Sequence, residues 1–198
     1  MSKIAEKIAD SLCHREVIEE CDREIYKYGY EVLLENIGKT LFLLVAGGIL
    51  RQFTVTLIFI IAFTTLRSCC GGYHASESWK CDLLTIFLWG MVVAGTSLLE
   101  SILVRGQTFM ILIAVMSQLV IYQYAPVEHK DKRLTKEKQE RNRRCALGLG
   151  LIYGILILLL TFTLTRFGAA LALSVLEVVI LMIIPNEGRT CGEETDGF

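Results

Sequence analysis

Six long apolar segments constrain the fold of this chain more than any other feature. Each approaches the ~20 apolar residues that a helix needs to cross a bilayer. They lie at about residues 32–50, 53–66, 82–99, 107–125, 146–165 and 167–184. A spanning segment must satisfy its backbone hydrogen bonds internally, so we predict an all-α, polytopic membrane helix bundle with six transmembrane segments. The second segment is the shortest, and a half-span there is the alternative.

The composition agrees with a chain that is partly surrounded by lipid. Apolar residues make up 53% of the sequence and fall in runs, with the charged residues gathered between them. An average soluble chain is about 45–50% apolar. The net charge of −1 provides no field that would attract a polyanion. We therefore expect the lipid bilayer as a partner and no nucleic acid.

The residues before the first apolar segment are charged and predict a different environment. Apolar side chains recur there at helical spacing, at Ile4, Ile8, Leu12 and Ile18. This spacing is typical of amphipathic helices on a membrane surface, or of a solvated helix that packs on its own protein. We divide the chain into an N-terminal surface region (1–31), a transmembrane domain (32–184) and a short acidic tail (185–198).

A basic connection, residues 126–145, predicts the orientation in the membrane. It carries eight lysine and arginine residues, at Lys130, Lys132, Arg133, Lys136, Lys138, Arg141, Arg143 and Arg144. Cytoplasmic loops are enriched in these residues, so we place the basic connection in the cytoplasm. With six crossings, the two termini and the 67–81 segment then share that side of the cell membrane.

The 67–81 segment concentrates the residues that are capable of chemistry. It contains three of the seven cysteines and one of the three histidines. Cysteine attacks as the thiolate, which requires a nearby base or positive charge. His74 is the histidine closest in sequence to Cys81, and Arg67 and Lys80 add positive potential. The segment is therefore a candidate active centre, with Cys81 as nucleophile and His74 as base.

The distance between His74 and Cys81 sets a condition on the backbone. On one continuous helix the two residues would stand ~10.5 Å apart along the axis, whereas a hydrogen bond needs ~3 Å. The backbone must bend between them, or one of the two must lie on a loop. Gly71-Gly72 permits a sharp turn, and Ser76 is placed to cap a new helix that runs into the third apolar segment.

Other uses of these residue types remain open from the sequence. Cys69 and Cys70 are compatible with a redox pair. Glu77 is either a third catalytic residue that orients His74 or a solvated acid. Cys13-His14 fits a metal site with His74 and Cys81, although no tight ligand spacing supports it. Elsewhere we expect free thiols, with Cys145 and Cys191 as bystanders, because the cytoplasm is reducing. Glu177 is an acid within the last apolar segment and a functional candidate by its position.

The motif formed by Arg67, Gly71-Gly72, His74-Ala75 and Cys81 resembles that of the accessory gene regulator protein B family. These proteins are membrane endopeptidases of bacterial peptide quorum sensing. The chain length, the charged start, the six segments and the Ala125-Pro126 opening of the basic connection fit as well. Cys69-Cys70 departs from the small residues expected before Gly-Gly, which leaves a second nucleophile open.

The resemblance implies the roles of the residues and a reaction. Cys81 is the nucleophile, His74 is its base, and Arg67, Gly71 and Gly72 shape the site. The thiolate would attack a backbone carbonyl of a short amphipathic propeptide, release its C-terminal tail and leave a thioester, which then closes into a thiolactone or lactone ring. Family members remove acidic tails, so a substrate-binding role is expected for Lys130, Lys132 and Arg133.

Two further expectations concern partners and rival functions. No metal or organic cofactor is implied. Small residues such as Gly47-Gly48 and Gly148-x-Gly150 allow close contacts between helices, which are compatible with a homodimer. The rival function is a small transporter or peptide exporter without covalent catalysis. It would need ionisable groups along a path through several spans, and Glu177 is the one residue that fits this requirement.

Overall fold

The computed structural model describes residues 2–14, 17–71, 78–101, 103–127 and 136–184. Within these ranges the protein is helical and contains no strand. A short 3-10 turn, Glu20–Asp22, precedes the second of seven α-helices. The helices are α1 (Ser2–His14), α2 (Arg23–Ile49), α3 (Phe53–Cys70), α4 (Ser78–Ser101), α5 (Leu103–Tyr124), α6 (Lys136–Thr163) and α7 (Thr165–Ile183).

Helices α2 to α7 account for the six predicted crossings. Each is long and apolar enough to span a bilayer, whereas α1 is not among them. The prediction of an all-α membrane bundle with six spans is therefore confirmed. Helix α3 has 18 residues, or about 27 Å of helix, so its length fits a full crossing better than a half-span.

The chain divides into two compact units, residues 1–53 and 54–198. In the first unit, α1 packs on α2 through Ala5 and Ala9, which are fully buried small residues. Arg23 at the start of α2 pairs with Asp10 of α1 at 2.6 Å and with Glu6 at 3.8 Å. These contacts hold a charged amphipathic helix against the start of the first apolar helix.

The two longest helices extend beyond the apolar segments that predicted them. Residues 23–31, assigned to the surface region, are the first turns of α2, and the basic connection is helical from Lys136 onward. No proline interrupts either stretch, and glutamate, lysine, glutamine and arginine are good helix formers. The pair between Arg144 and Glu140, at 2.5 Å and four residues apart, supports the exposed start of α6.

In the second unit, α7 lies at the centre and packs against α4, α5 and α6. Small buried residues line its first half, at Gly168, Ala169, Ala170 and Ala172. One residue, Leu164, separates α6 from α7, so the predicted break at Arg166 lies two residues earlier in the structure. A Cβ on Gly168 would stand 3.0 Å from the Thr161 nitrogen, and glycine therefore allows this tight hairpin.

Candidate functional site

Helices α3 and α4 bring the two ends of the 67–81 segment to the same end of the bundle. The buried Trp89 of α4 donates from Nε1 to Oγ1 of Thr56 of α3 at 2.9 Å. Arg67 lies eleven residues beyond Thr56, and Cys81 lies eight residues before Trp89. At 1.5 Å per residue these offsets are ~16 and ~12 Å in the same direction, because the helices are antiparallel. The hydrogen bond therefore fixes a register in which Arg67 and Cys81 are neighbours.

Arg67 and Cys81 interact electrostatically across the two helices. The Arg67 side chain is half-buried, and its guanidinium carbon lies 5.4 Å from the centre of the Phe63 ring, one turn earlier on α3. Stacking on an aromatic face restricts the directions in which a guanidinium can point. The arginine is thus held as a fixed positive charge beside the cysteine.

Cys81 lies in the first turn of α4 with a free and half-exposed thiol. Its carbonyl oxygen accepts a hydrogen bond from Oγ1 of Thr85 at 2.8 Å. The exposed Lys80 lies with its ammonium 5.6 Å from the centre of the Trp79 ring. A helix start carries unpaired N–H groups and positive potential, which adds to the charge of Arg67. Arg67 and the start of α4 therefore both place positive potential near Cys81.

The other two cysteines of the segment differ from Cys81 in accessibility. Cys70 is free but has no exposed surface. Cys69 is joined by a disulfide to Cys145 of α6, with the two Cα atoms 5.9 Å apart. The expectation that Cys145 is a bystander and that these thiols are free is therefore wrong for this pair. The close approach of α3 and α6 at this point, which sequence spacing does not reveal, brings the two cysteines together.

Gly71 ends α3 in a conformation that requires glycine. Its φ is +72°, and its nitrogen donates to the Arg67 carbonyl at 3.0 Å, which closes the last turn of the helix. The nitrogen of Val127 donates to the Cys70 carbonyl at 2.9 Å, next to Gly71. A Cβ on Gly71 would stand 2.5 Å from the Val127 carbonyl oxygen. Helix α3 therefore ends at Gly71, which contacts the start of the basic connection, and the rest of the expected turn lies outside the described residues.

Val127 is a site contact that the sequence did not indicate. It acts through its backbone, so no side-chain type identifies it, and the preceding Ala125-Pro126 pair marks only where α5 ends. Several predicted site residues lie outside the described ranges, namely Gly72, His74, Lys130, Lys132 and Arg133, together with Ser76 and Glu77. The pairing of His74 with Cys81 and the binding role of the three basic residues therefore stay predictions.

Polar atoms without a hydrogen-bond partner lie deeper in the bundle. Among the described residues these are Oγ of Ser117, Oε1 of Gln118 and Oε2 of Glu177. Glu177 is only 8% exposed and lies six residues, or ~9 Å, before the end of α7 at Ile183. It is therefore an interior acid, well separated along the helix axis from the end of the bundle that carries Cys81.

Comparison with known proteins assigns the chain to a family. The model of the family described as accessory gene regulator B matches residues 2–184. A putative AgrB-like protein from Clostridium perfringens strain SM101 is 26% identical over 80% of this chain and 76% of its own length. Accessory gene regulator protein B from Staphylococcus aureus strain MRSA252 is 33% identical over 57% of this chain and 60% of its own length. No solved structure matches the chain. The protein therefore belongs to the accessory gene regulator B family and has a role in the accessory gene regulator system.

Proposed function

We propose that this protein is a membrane cysteine endopeptidase that removes the C-terminal tail of a signalling propeptide and promotes closure of the product into a ring. The observation that carries the proposal is the environment of Cys81. Cys81 combines a free thiol, partial exposure and the neighbouring charge of Arg67, whereas Cys70 is buried. The family motif supports the same assignment.

The reaction begins with the attack of the Cys81 thiolate on a backbone carbonyl of the propeptide. His74 first takes the thiol proton and then gives it to the leaving amine as the C–N bond breaks. The tail departs with a new amino terminus, and the rest of the peptide stays on Cys81 as a thioester. Arg67 stabilises the thiolate before the attack and after its release.

Ring closure uses a nucleophile in the bound peptide. A cysteine or serine side chain of the propeptide attacks the thioester carbonyl, which forms a thiolactone or lactone and frees the Cys81 thiolate. Water would hydrolyse the same thioester to a linear acid. Because exclusion of water favours cyclisation, the site must be enclosed when the peptide is bound.

The proposed orientation places this chemistry on the cytoplasmic side of a bacterial cell membrane. The basic connection favours that side, and the propeptide is made there. An amphipathic propeptide would dock at the bilayer surface, with its acidic tail on Lys130, Lys132 and Arg133. A homodimer is compatible with this arrangement and is not required by it.

Mass spectrometry of the detergent-solubilised protein mixed with a candidate propeptide tests the proposal. We expect a released tail and a propeptide adduct on Cys81 with the unaltered protein, and neither product with Cys81→Ala. His74→Ala should lose tail release because the base is absent. Cys13→Ala is a matched control, since Cys13 is another free cysteine and lies in the N-terminal unit.

Two outcomes would contradict the proposal in different ways. Tail release that survives Cys81→Ala would exclude Cys81 as the nucleophile. Absence of cleavage with every variant and several propeptides would favour the non-covalent exporter, which should move peptide across vesicle membranes even with Cys81→Ala.

A further inference from the structure

The disulfide between Cys69 and Cys145 joins two parts of the chain that the proposed function uses differently. Cys69 lies in the last turn of α3, two residues after Arg67 and two before Gly71. Cys145 follows the basic turns at the start of α6, directly after Arg144. One covalent bond thus ties the helix that leads into the catalytic segment to the helix that leads out of the basic connection.

Hydrogen bonds also connect this end of α3 to its neighbours. Oγ1 of Thr65 and the hydroxyl of Tyr153 on α6 lie 2.6 Å apart, one turn from Cys69. The nitrogen of Val127 donates to the Cys70 carbonyl. Such bonds open readily, whereas a disulfide does not. Oxidation of the cysteine pair therefore restrains α3 and α6 at this end, and reduction removes that restraint.

We propose that Cys69 and Cys145 form a reversible redox switch, in which the disulfide locks α3 to α6 and slows turnover while the dithiol permits it. The inference rests on the proposed function. The propeptide must reach Cys81 beside the last turn of α3, which carries Arg67 and which the disulfide holds to α6, so we expect turnover to require movement of that turn. Such opening steps limit the rate of many enzymes.

The compartment makes a reversible bond more reasonable than a structural one. On the cytoplasmic side, glutathione and thioredoxin systems keep thiols reduced, and disulfides there are usually transient. The structure then represents the oxidised form of the switch, and the reducing compartment returns it to the dithiol. Oxidation by a low-molecular-weight disulfide transfers two electrons: the two protein thiols lose two protons and form one S–S bond, and the oxidant becomes two thiols.

The cysteine pair is also accessible to such an oxidant. Cys145 is exposed and Cys69 is half-exposed, so a small disulfide can react first with Cys145 and the neighbouring thiol can then displace the small thiol. Because the Cα atoms lie 5.9 Å apart, the second step is intramolecular. A high effective concentration should make this pair oxidise before mixed disulfides accumulate on isolated cysteines such as Cys81.

The test uses the full-length protein in detergent, first reduced and then equilibrated at graded ratios of reduced to oxidised glutathione. Mass spectrometry of peptides measures the Cys69–Cys145 link and any glutathione on Cys81, and tail release from the propeptide is followed in parallel. We expect the rate to fall about fivefold as the link forms, and reduction with dithiothreitol to restore it. Cys69→Ser and Cys145→Ser, each compared with its own reduced sample, should keep their rates over the same range. Cys13→Ser should respond like the unaltered protein.

The outcomes separate the switch from the proposed function. Failure of the link to form, or its formation without a change in rate, would overturn the switch and leave the peptidase intact. A rate that follows glutathione on Cys81, equally in the Cys145→Ser protein, would also overturn it. Absence of Cys81-dependent tail release from the fully reduced protein would instead overturn the proposed function, and with it the regulation of that activity.

Discussion

The α6–α7 hairpin is held together differently from the end of α3 and α4 that carries Arg67 and Cys81, which we call the catalytic end after its proposed function. In α7, 67% of the apolar span is buried in protein, whereas the figures for α3, α6 and α4 are 39%, 28% and 17%. The hairpin relies on small residues and close backbone contact, as at Gly168. The catalytic end relies on a few polar ties, among them the bond from Trp89 to Thr56 and the bond from Val127 to Cys70. We infer that the α6–α7 hairpin is the more rigid region and that the catalytic end can rearrange without disturbing it.

The low burial of α4 does not make it unstable in a membrane. Large apolar residues cover its outer face, with Leu83, Phe87, Met91 and Leu98 all more than half exposed. Lipid tails solvate such side chains as well as protein does, so packing and polar contacts rather than burial decide which helices stay together. Substitutions in the two regions should therefore differ in their effects on stability and on activity.

The largest effect should follow from Gly71→Ala at the catalytic end. The left-handed φ of +72° is unfavourable for alanine, and the new Cβ would meet the carbonyl oxygen of Val127 at 2.5 Å. The turn must shift, which displaces the residues that lead to His74. We expect tail release to fall by about tenfold or more, because small misplacements of catalytic groups are costly.

Gly90→Ala is the matched control for this change. Gly90 lies on α4, and a Cβ added there would have no neighbouring atom within 4 Å, so the substitution places a methyl group in open space. Its rate should stay close to that of the unaltered protein. A Gly71→Ala protein with a normal rate would show that the docking of Gly71 on Val127 does not position the site.

The rigid region should respond to Gly168→Ala in stability rather than in chemistry. A Cβ there would lie 3.0 Å from the Thr161 nitrogen and 3.1 Å from the Leu160 carbonyl carbon, both of which are backbone atoms that cannot move aside alone. We expect a loss of about 1–3 kcal/mol in the free energy of unfolding in detergent, with a normal rate per folded molecule. Gly154→Ala on α6, where the space is open, should be nearly neutral. Equal stabilities of the two variants would contradict the tight hairpin.

Hydropathy predicted the membrane-spanning helices well, because lipid imposes a simple rule on the length and composition of a spanning helix. It underestimated helix length where charged residues continue an apolar helix, as at Arg23 in α2 and Lys136 in α6. Good helix formers next to an apolar run carry no hydropathy signal, although they extend the same hydrogen-bonded helix.

The candidate site was predictable only in part. The motif identified Arg67, Gly71 and Cys81, and the structure brings Arg67 and Cys81 into electrostatic contact. The disulfide partner of Cys69 is 76 residues away, and such contacts depend on helix packing that periodicity does not specify. The contact between Val127 and Gly71 was also not predicted, because a backbone contact does not require a particular side chain at Val127.

Glu177 is an acid in the rigid interior and departs from the apolar packing around it. It is 8% exposed, and one of its carboxylate oxygens has no hydrogen-bond partner. Glu177→Met keeps a similar volume and removes the cost of a buried polar group, so we expect a gain of about 1–2 kcal/mol in the free energy of unfolding. Tail release should not change. Loss of activity together with a gain in stability would show that the acid is retained for function, as the transporter hypothesis requires.

The smallest effect should come from loss of the hydrogen bond between Trp89 of α4 and Thr56 of α3. Thr56→Val and Trp89→Phe each remove one partner of the buried hydrogen bond and keep most of the side-chain volume. A double-mutant cycle on the unfolding free energy in detergent isolates the interaction, for which we expect a coupling of about 1 kcal/mol. Each single variant should also lower the rate of tail release, because the bond fixes the register that makes Arg67 and Cys81 neighbours. A coupling near zero with unchanged rates would mean that this register is held elsewhere, and the catalytic end would then be as rigid as the hairpin.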